Sequence, residues 1–145
     1  MKKSFVLLLV LSTFFFCQRD WKKELESIET PEKLGEKLFF DPILSKDNSV
    51  SCASCHNPKF AFADNRKLSL GVGDSLGERN TPSVMNMLSR SHFFYDGRAA
   101  TLEEQVLMPI QDPIEMGMQL EELETKLKDL PYYPILFKKT FMGRW

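Results

Sequence analysis

The sequence predicts an all-α fold, and three observations support this prediction. Apolar residues recur at helical spacing in several segments, whereas no segment shows the alternation of apolar and polar residues that is typical of a strand. Signals for helix starts, namely two Thr-Pro pairs and a capping box, precede three of these segments. Hydrophobic residues make up 43% of the 145 residues and charged residues 27%, as in an ordinary globular domain. One helical domain is therefore expected.

The N-terminus predicts an export signal that does not belong to this fold. Within residues 1–16, two lysines precede an apolar run that is too short to span a bilayer but suits the core of a signal peptide. Cys17 follows at the place of a lipoprotein's lipidated cysteine, but Phe16 is larger than the usual preceding residue, so a plain signal peptide is the alternative. We expect a periplasmic or exported protein that contacts the membrane only through such an anchor. Residues 17–30 then form a polar lead-in or tether, and residues 31–145 form the domain.

Two Thr-Pro pairs predict the first helices of the domain, because the threonine hydroxyl caps a helix and proline suits its first position. Thr30 begins a helix with Leu34 and Leu38 on its apolar face, and Pro42 ends this helix. Thr81 begins the next helix by the same pattern, ahead of an apolar Val-Met pair.

Two further helices are predicted towards the C-terminus. A capping box at residues 101–104 begins the third helix, with Val106 and Leu107 on its buried side and Pro109 as its terminator. Four leucines at helical spacing over residues 120–130 mark the fourth helix. Its acidic residues come early and its lysines late, which suits the helix dipole.

A last short helix is expected from Pro134, and the remaining segments are loops. These loops lie at residues 45–49, 65–67 and 70–80. Long loops are uncommon in a compact domain unless they serve a function. We therefore expect long, ordered loops that surround something other than protein.

The charge balance argues against a nucleic-acid binder. Lysine and arginine number 19 and aspartate and glutamate 20, so the net charge is −1 and no basic excess is available for a phosphate backbone. No repeat of fixed period is visible, which excludes solenoids and propellers.

Cys52 opens the run Cys-Ala-Ser-Cys-His, the C-x-x-C-H signature of c-type haem attachment. Two thiols three positions apart on one helical turn can form thioethers with the two haem vinyl groups, and the next imidazole then faces the iron. A thioredoxin-like pair needs a βαβ context, and a zinc site needs two more ligands, for which only Cys17 and His92 remain. One covalent haem c is therefore expected, attached through Cys52 and Cys55, with His56 as an iron ligand.

The ligand on the opposite face of the haem is left open by the sequence. A histidine and five methionines are candidates: His92, Met85, Met87, Met108, Met116 and Met118. A second strong ligand is typical of an electron carrier, whereas an open position lets a small molecule react there. Spacing alone does not decide between the two.

Further motifs lie in a characteristic order around the haem motif. LGEKLFFDP precedes it over residues 34–42. GERNTPSVMN over residues 77–86, FFYDGRAA over residues 93–100 and PIEMG over residues 113–117 follow it. Together these motifs resemble the start of the bacterial di-haem cytochrome c peroxidases and their MauG-type relatives. The resemblance covers about residues 31–142 and implies a cytochrome c-like haem domain.

The resemblance implies a function and a set of site residues. The chain matches the N-terminal domain of the family, which holds the peroxidatic haem and reduces hydrogen peroxide to water with electrons from cytochrome c or a similar small donor. By this match His56 is the proximal ligand of that haem, Glu115 the catalytic acid–base and Gln105 the accompanying amide of the distal pocket. Asn80 matches a residue of a Ca²⁺ site between the two domains of the family.

A carboxylate suits the role that the resemblance gives to Glu115. Cleavage of hydrogen peroxide needs a group that takes a proton from one oxygen and returns it to the leaving oxygen. A carboxylate with a raised pKa in an apolar pocket can do both, and a nearby amide can orient the peroxide without competing for the proton. Without the resemblance, Glu115 would be interpreted as a solvated loop acid and Gln105 as an exposed helix residue.

Two features depart from the family pattern. In several members a histidine of a Gly-rich loop caps the resting haem, whereas here Val72 stands in its place, which predicts a MauG-type haem that needs no reductive activation. The sequence has a single C-x-x-C-H and ends at Trp145, so the second haem domain is expected to be absent, with a separately encoded one as a partner. A mono-haem electron carrier and an inactive truncated remnant are the alternative interpretations.

Overall fold

A computed structural model of the protein describes residues 25–142, so the expected export signal and Cys17 lie outside the described residues. The helices are α1 (Pro31–Phe40), α2 (Cys52–Cys55), α3 (Leu102–Gln111), α4 (Leu120–Asp129) and α5 (Tyr133–Thr140). Short 3₁₀ turns lie at Pro42–Leu44, Pro58–Phe60, Val72–Asp74 and Met87–Ser89. Residues 25–142 contain isolated bridges but no strand, which confirms the all-α prediction. Within the same residues, no helix is both long and apolar enough to cross a membrane.

The first predicted helix is confirmed at both ends. The carbonyl of Thr30 accepts the first helical hydrogen bond, from the N–H of Leu34 at 3.0 Å, and Pro31 takes the first helical position. Helix α1 ends at Phe40, two residues before Pro42. The predictions of α4 and α5 are also confirmed, with α5 beginning one residue before the expected Pro134.

The helix predicted from Thr81 is wrong, and the hydrogen bonds of this segment explain why. The carbonyl of Thr81 accepts from the N–H of Asp64 at 3.1 Å, and the carbonyl of Pro82 lies 3.0 Å from His56 Nδ1. Carbonyls that bond to distant residues are not available to the N–H groups four positions further along the chain. Residues 80–84 therefore have no regular secondary structure, and the only helical element that follows before α3 is the 3₁₀ turn at Met87–Ser89.

The capping box at the start of α3 is confirmed in part. Thr101 Oγ1 accepts from the N–H of Glu104 at 3.1 Å, as expected of a cap. The reciprocal bond goes one residue further back, because Glu104 Oε2 accepts from the N–H of Ala100 at 2.9 Å. The helix end is thus capped, although not by the predicted pair of bonds.

The predicted end and buried side of α3 are wrong. Pro109 lies inside the helix, which continues to Gln111, and its ring costs one intrahelical hydrogen bond because it has no N–H. Val106 and Leu107 are 44% and 42% exposed, whereas Ile110 is buried. Ile110 directly follows Pro109, and burial of its side chain stabilises the continuation of the helix past the proline.

The chain divides into two compact units. The larger unit, Gly35–Asp129, contains all the predicted site residues. Its buried apolar residues are Leu44, Phe93, Ala99, Ile110, Met116, Met118, Leu123 and Leu127. Of the described residues, the smaller unit comprises 25–34 and 130–142. In it Tyr133 and Leu136 are buried, and Lys139 Nζ donates to the carbonyl of Glu26 at 2.8 Å.

Candidate functional site

Cys52 and Cys55 stand at the two ends of α2, which is a single helical turn. The N–H of Ser51 donates to Ser54 Oγ at 2.9 Å, and the N–H of His56 donates to the carbonyl of Cys52 at 2.8 Å. These bonds fix the turn at both ends. Both thiols are free and half-buried. The turn therefore presents two sulfurs and the following imidazole from one rigid segment, as the C-x-x-C-H spacing predicts.

The alternatives to haem attachment find little support in this site. Burial raises the pKa of both thiols, whereas a reactive redox cysteine needs a lowered pKa. Throughout residues 25–142, no group of three or more His, Cys, Asp or Glu side chains lies close enough together to hold a metal ion. The raised pKa of both thiols therefore disfavours a thioredoxin-like redox pair.

His56 is oriented by two backbone carbonyls. Its Nδ1 lies 3.2 Å from the carbonyl of Phe62 and 3.0 Å from that of Pro82. Because carbonyl oxygens only accept hydrogen bonds, Nδ1 carries the proton and Nε2 keeps its lone pair for a metal. Burial lowers the pKa of His56, although both carbonyls oppose this effect, so the neutral form that metals require is favoured. The ring of Phe39 lies beside the imidazole, 6.4 Å away between centroids.

Glu115 lies in a tight turn directly after α3. Asp112 organises this turn, because its carbonyl accepts the N–H groups of Glu115 at 3.1 Å, Met116 at 3.1 Å and Gly117 at 2.8 Å. The Asp112 side chain accepts the N–H of Ile114 at 2.8 Å. Gly117 has a φ of +61°, a left-handed conformation that glycine adopts without strain. The backbone at Glu115 is thus fixed by local hydrogen bonds.

The Gly-rich loop, residues 70–74, contacts both the haem-attachment turn and the Glu115 turn. Cys55 Sγ lies 3.8 Å from the carbonyl of Leu70, and the N–H of Val72 donates to the carbonyl of Glu115 at 2.9 Å. Burial is the main cause of the raised pKa of Cys55, and the negative charges of Asp64 and Glu115 add to it. The same loop therefore joins the haem-attachment turn to the backbone of Glu115.

The environment of Glu115 raises the pKa of its carboxyl above the ordinary value for glutamate. Its side chain is exposed by surface area, but the surrounding protein displaces enough water to raise its pKa, and the negative charge of Asp112 adds to this effect. Arg98 opposes both. The carboxylate makes no hydrogen bond to another residue of the described chain.

Arg98 is a charged residue of the site for which sequence analysis predicts no role, although it lies within the motif FFYDGRAA. Its Nη1 lies 3.0 Å from Asp96 Oδ1, and its guanidinium carbon lies 3.6 Å from the ring centroid of Phe94. These contacts hold a positive charge where it lowers the pKa of Glu115. An arginine two positions after an aspartate across a glycine turn is the signal that could have indicated a fixed cation.

The other predicted site residues are placed less decisively. Gln105 is half-buried on α3, and its side-chain amide makes no hydrogen bond to another residue within 25–142. Asn80 is exposed, and its Nδ2 donates to the carbonyls of Asp64 at 3.3 Å and Arg66 at 2.6 Å. A Ca²⁺ site at Asn80 stays a prediction.

The six candidates for the second axial ligand fall into three groups by exposure, of which Met87 and Met108 are the half-buried one. Met116 and Met118 are 6% and 2% exposed and belong to the core. Met85 and His92 are exposed, and His92 Nδ1 lies 3.2 Å from Ser91 Oγ. The identity of a second axial ligand stays open.

The donor set of this site fits a haem c. Two free thiols share one helical turn, and the adjacent imidazole has its Nε2 lone pair available while Nδ1 is held by carbonyls. The helical fold and this donor set define a chain of the c-type haem class.

Comparison with known proteins identifies the family. The sequence profile of the di-haem cytochrome c peroxidases matches residues 29–144. The methylamine utilization protein MauG of Methylorubrum extorquens is 46% identical over 114 residues, which cover 77% of this chain and 32% of that protein. The cytochrome c551 peroxidase of Pseudomonas aeruginosa is 42% identical over 113 residues, 78% of this chain and 33% of that protein. The chain belongs to the di-haem cytochrome c peroxidase family and spans about a third of the length of these relatives.

Solved structures agree with this assignment. The helical structure of the described residues is consistent with the predicted cytochrome c-like fold. A MauG-like protein associated with microbial copper homeostasis matches with a TM-score of 0.69 and 33% identity, over 76% of this chain and 33% of that chain. The diheme peroxidase BthA of Burkholderia thailandensis matches with a TM-score of 0.65 and 31% identity, over 73% of this chain and 31% of that chain.

Proposed function

We propose that this chain is a peroxidatic haem domain, which reduces hydrogen peroxide to water with electrons from a small donor such as a cytochrome c. The observation that carries the proposal is the position of Glu115. Its backbone is hydrogen-bonded to the loop whose Leu70 carbonyl lies 3.8 Å from Cys55 Sγ in the haem-attachment turn, and burial raises the pKa of its carboxyl. Relatives named cytochrome c peroxidase, from Pseudomonas aeruginosa and Escherichia coli, support the reaction class.

In this proposal each residue has a defined task. One haem c, attached to Cys52 and Cys55 and bound by His56, supplies the redox chemistry. Glu115 accepts a proton from one oxygen of hydrogen peroxide and returns it to the oxygen that leaves as water. Gln105 orients the peroxide by hydrogen bonds, because an amide can donate and accept without changing its own charge.

The remaining expectations extend the same proposal. The loops between the helices would be ordered against the haem. Residues 1–16 would direct export to the periplasm and be removed, with Cys17 as a lipid-anchor site. A second haem domain would supply electrons, and Asn80 would contribute one oxygen to a Ca²⁺ site beside it. Mass spectrometry of the mature N-terminus tests the export signal and the lipid directly.

The reaction is tested with the haem-loaded chain, hydrogen peroxide and a reduced small cytochrome c. We expect donor oxidation that depends on peroxide, with two donor molecules oxidised per peroxide consumed. Glu122→Gln is the matched control, because Glu122 is an exposed acid in the first turn of α4 and lies outside the site. Electron exchange with the donor without peroxide consumption would contradict the proposal and indicate an electron carrier.

A further inference from the structure

Gly71 approaches the Glu115 turn more closely than any side chain would allow. A methyl group at this position would lie 1.8 Å from the carbonyl oxygen of Ile114, 2.6 Å from that of Glu115 and 2.8 Å from the Glu115 Cα. All three are backbone atoms, which cannot rotate away as a flexible side chain can. Gly71 has an extended conformation, with φ −102° and ψ −160°, so its backbone angles do not require glycine. The reason for a glycine here is therefore the close approach of two backbone segments.

The close approach permits a hydrogen bond at the candidate catalytic residue. With Gly71 against the turn, the N–H of Val72 donates to the carbonyl of Glu115 at 2.9 Å. A second segment fixes the same turn, because the N–H of Lys46 donates to the carbonyl of Met116 at 2.9 Å. The preceding residue, Leu70, places its carbonyl 3.8 Å from Cys55 Sγ. The loop thus connects the haem-attachment turn to the Glu115 backbone through three consecutive residues.

We propose that Gly71 and Val72 are positioning residues for Glu115, which set the distance of its side chain from the haem through this backbone contact. The inference rests on the proposed function, because it assigns the loop a role in the same reaction. Neither residue touches substrate, and both act only through the placement of the Glu115 turn.

Gly71→Ala is the primary test. To bring the new methyl from 1.8 Å to an ordinary contact of 3.4 Å, the loop and the turn must separate by about 1.6 Å. A misplacement of about 1 Å can cost roughly a hundredfold in rate. We expect the second-order rate constant for the reaction of the ferric haem-loaded chain with hydrogen peroxide to fall by about tenfold to a hundredfold.

Val72→Pro tests the same contact from the other side. Proline removes the N–H that bonds Glu115, and its ring carbon takes the place of that hydrogen. The local backbone accepts this change, since Val72 opens a 3₁₀ turn and Gly71 before it is extended. Gly73→Asn is the control, because it lies in the same loop with nothing within 4 Å of a side chain, and asparagine tolerates its φ of +62°. We expect both test variants, but not the control, to slow the peroxide reaction.

A double-mutant cycle separates positioning from general damage. If Gly71 acts through Glu115, Gly71→Ala should slow the reaction by less than about twofold in a Glu115→Gln background. A merely structural defect would slow both backgrounds by the same factor. Hydrogen–deuterium exchange of the haem-loaded chain gives a readout independent of activity. We expect residues 112–118 to exchange faster in Gly71→Ala, while α4 keeps its protection.

The outcomes distinguish the two proposals. An unchanged rate in Gly71→Ala, with a normal effect of Glu115→Gln, would overturn the positioning role and leave the proposed function intact. Equal slowing by Gly71→Ala in both backgrounds would also overturn it. An unchanged rate in Glu115→Gln alone would contradict the proposed function, and exchange at residues 112–118 would then decide whether Gly71 holds the turn.

Discussion

Replacement of Glu115 by glutamine tests the proton transfer that we propose for this residue. The substitution keeps the size of the side chain and its ability to form hydrogen bonds, but removes the group that takes up and returns a proton. General acid–base catalysis typically contributes about a hundredfold to ten-thousandfold to a rate. At about 1.4 kcal/mol for each factor of ten, this corresponds to roughly 3 to 5.5 kcal/mol of barrier.

The structure indicates that the same substitution leaves the fold nearly unchanged. Glu115 is exposed by surface area, and its carboxylate makes no hydrogen bond to another residue of the described chain. Substitutions at such positions usually change the free energy of unfolding by no more than about 0.5 kcal/mol. The expected loss of transition-state stabilisation is therefore several times larger than any loss of stability, so the two effects can be separated.

Stopped-flow mixing of the ferric haem-loaded chain with hydrogen peroxide measures the step directly. We expect the second-order rate constant of Glu115→Gln to be lower by about a hundredfold or more, while urea unfolding and covalent haem content match the parent chain. Glu122→Gln, on the exposed side of α4, should react at the parent rate. A rate constant within about twofold of the parent value would show that Glu115 is only a loop acid and that the acid–base assignment is wrong.

Three further predictions follow from the same site. Cys52→Ala combined with Cys55→Ala should abolish covalent attachment, and haem that extracts freely from the unmodified chain under denaturing conditions would contradict the c-type assignment. Because Val72 cannot ligate iron, the ferric chain should show high-spin optical and EPR spectra and bind cyanide without prior reduction; a wholly low-spin spectrum with a methionine-to-iron band would refute this. Glu115 must be ionised to accept a proton, and burial with the charge of Asp112 raises its pKa, so the peroxide rate should fall as pH drops through a value above the ordinary one for glutamate. Glu115→Gln should lose that acid limb of the pH profile.

The parts of the fold that were predictable have local causes. Helix α1 follows from a cap and a proline at its start, and α4 from four leucines at helical spacing with its charges arranged along the dipole. The haem-attachment turn was equally predictable from the sequence, because both thiols and the imidazole lie within five consecutive residues. In each case the determining interactions join residues at most a few positions apart.

The errors have non-local causes. Thr81-Pro82 carries the same signal as Thr30-Pro31, yet it forms no helix because its carbonyls bond Asp64 and His56, which are 17 and 26 positions away. Tertiary hydrogen bonds of this kind outweigh a local helix signal. No spacing pattern in the sequence predicts them. The continuation of α3 past Pro109 has a similar origin, since burial of Ile110 depends on the rest of the core.

The environment that distinguishes Glu115 from the other acidic residues of the chain also depends on residues distant in the sequence. By composition and spacing Glu115 resembles Glu103 or Glu122, which lie on exposed helix surfaces. What separates it is the contact with Gly71, whose missing side chain lets two backbone segments meet, in a loop that also contacts the haem-attachment cysteine Cys55. A glycine required for close packing looks in sequence like any other loop glycine, because its conformation is ordinary and only its neighbours exclude a side chain. The packing role of Gly71 is therefore recognisable only once the fold has brought residues 71 and 115 together.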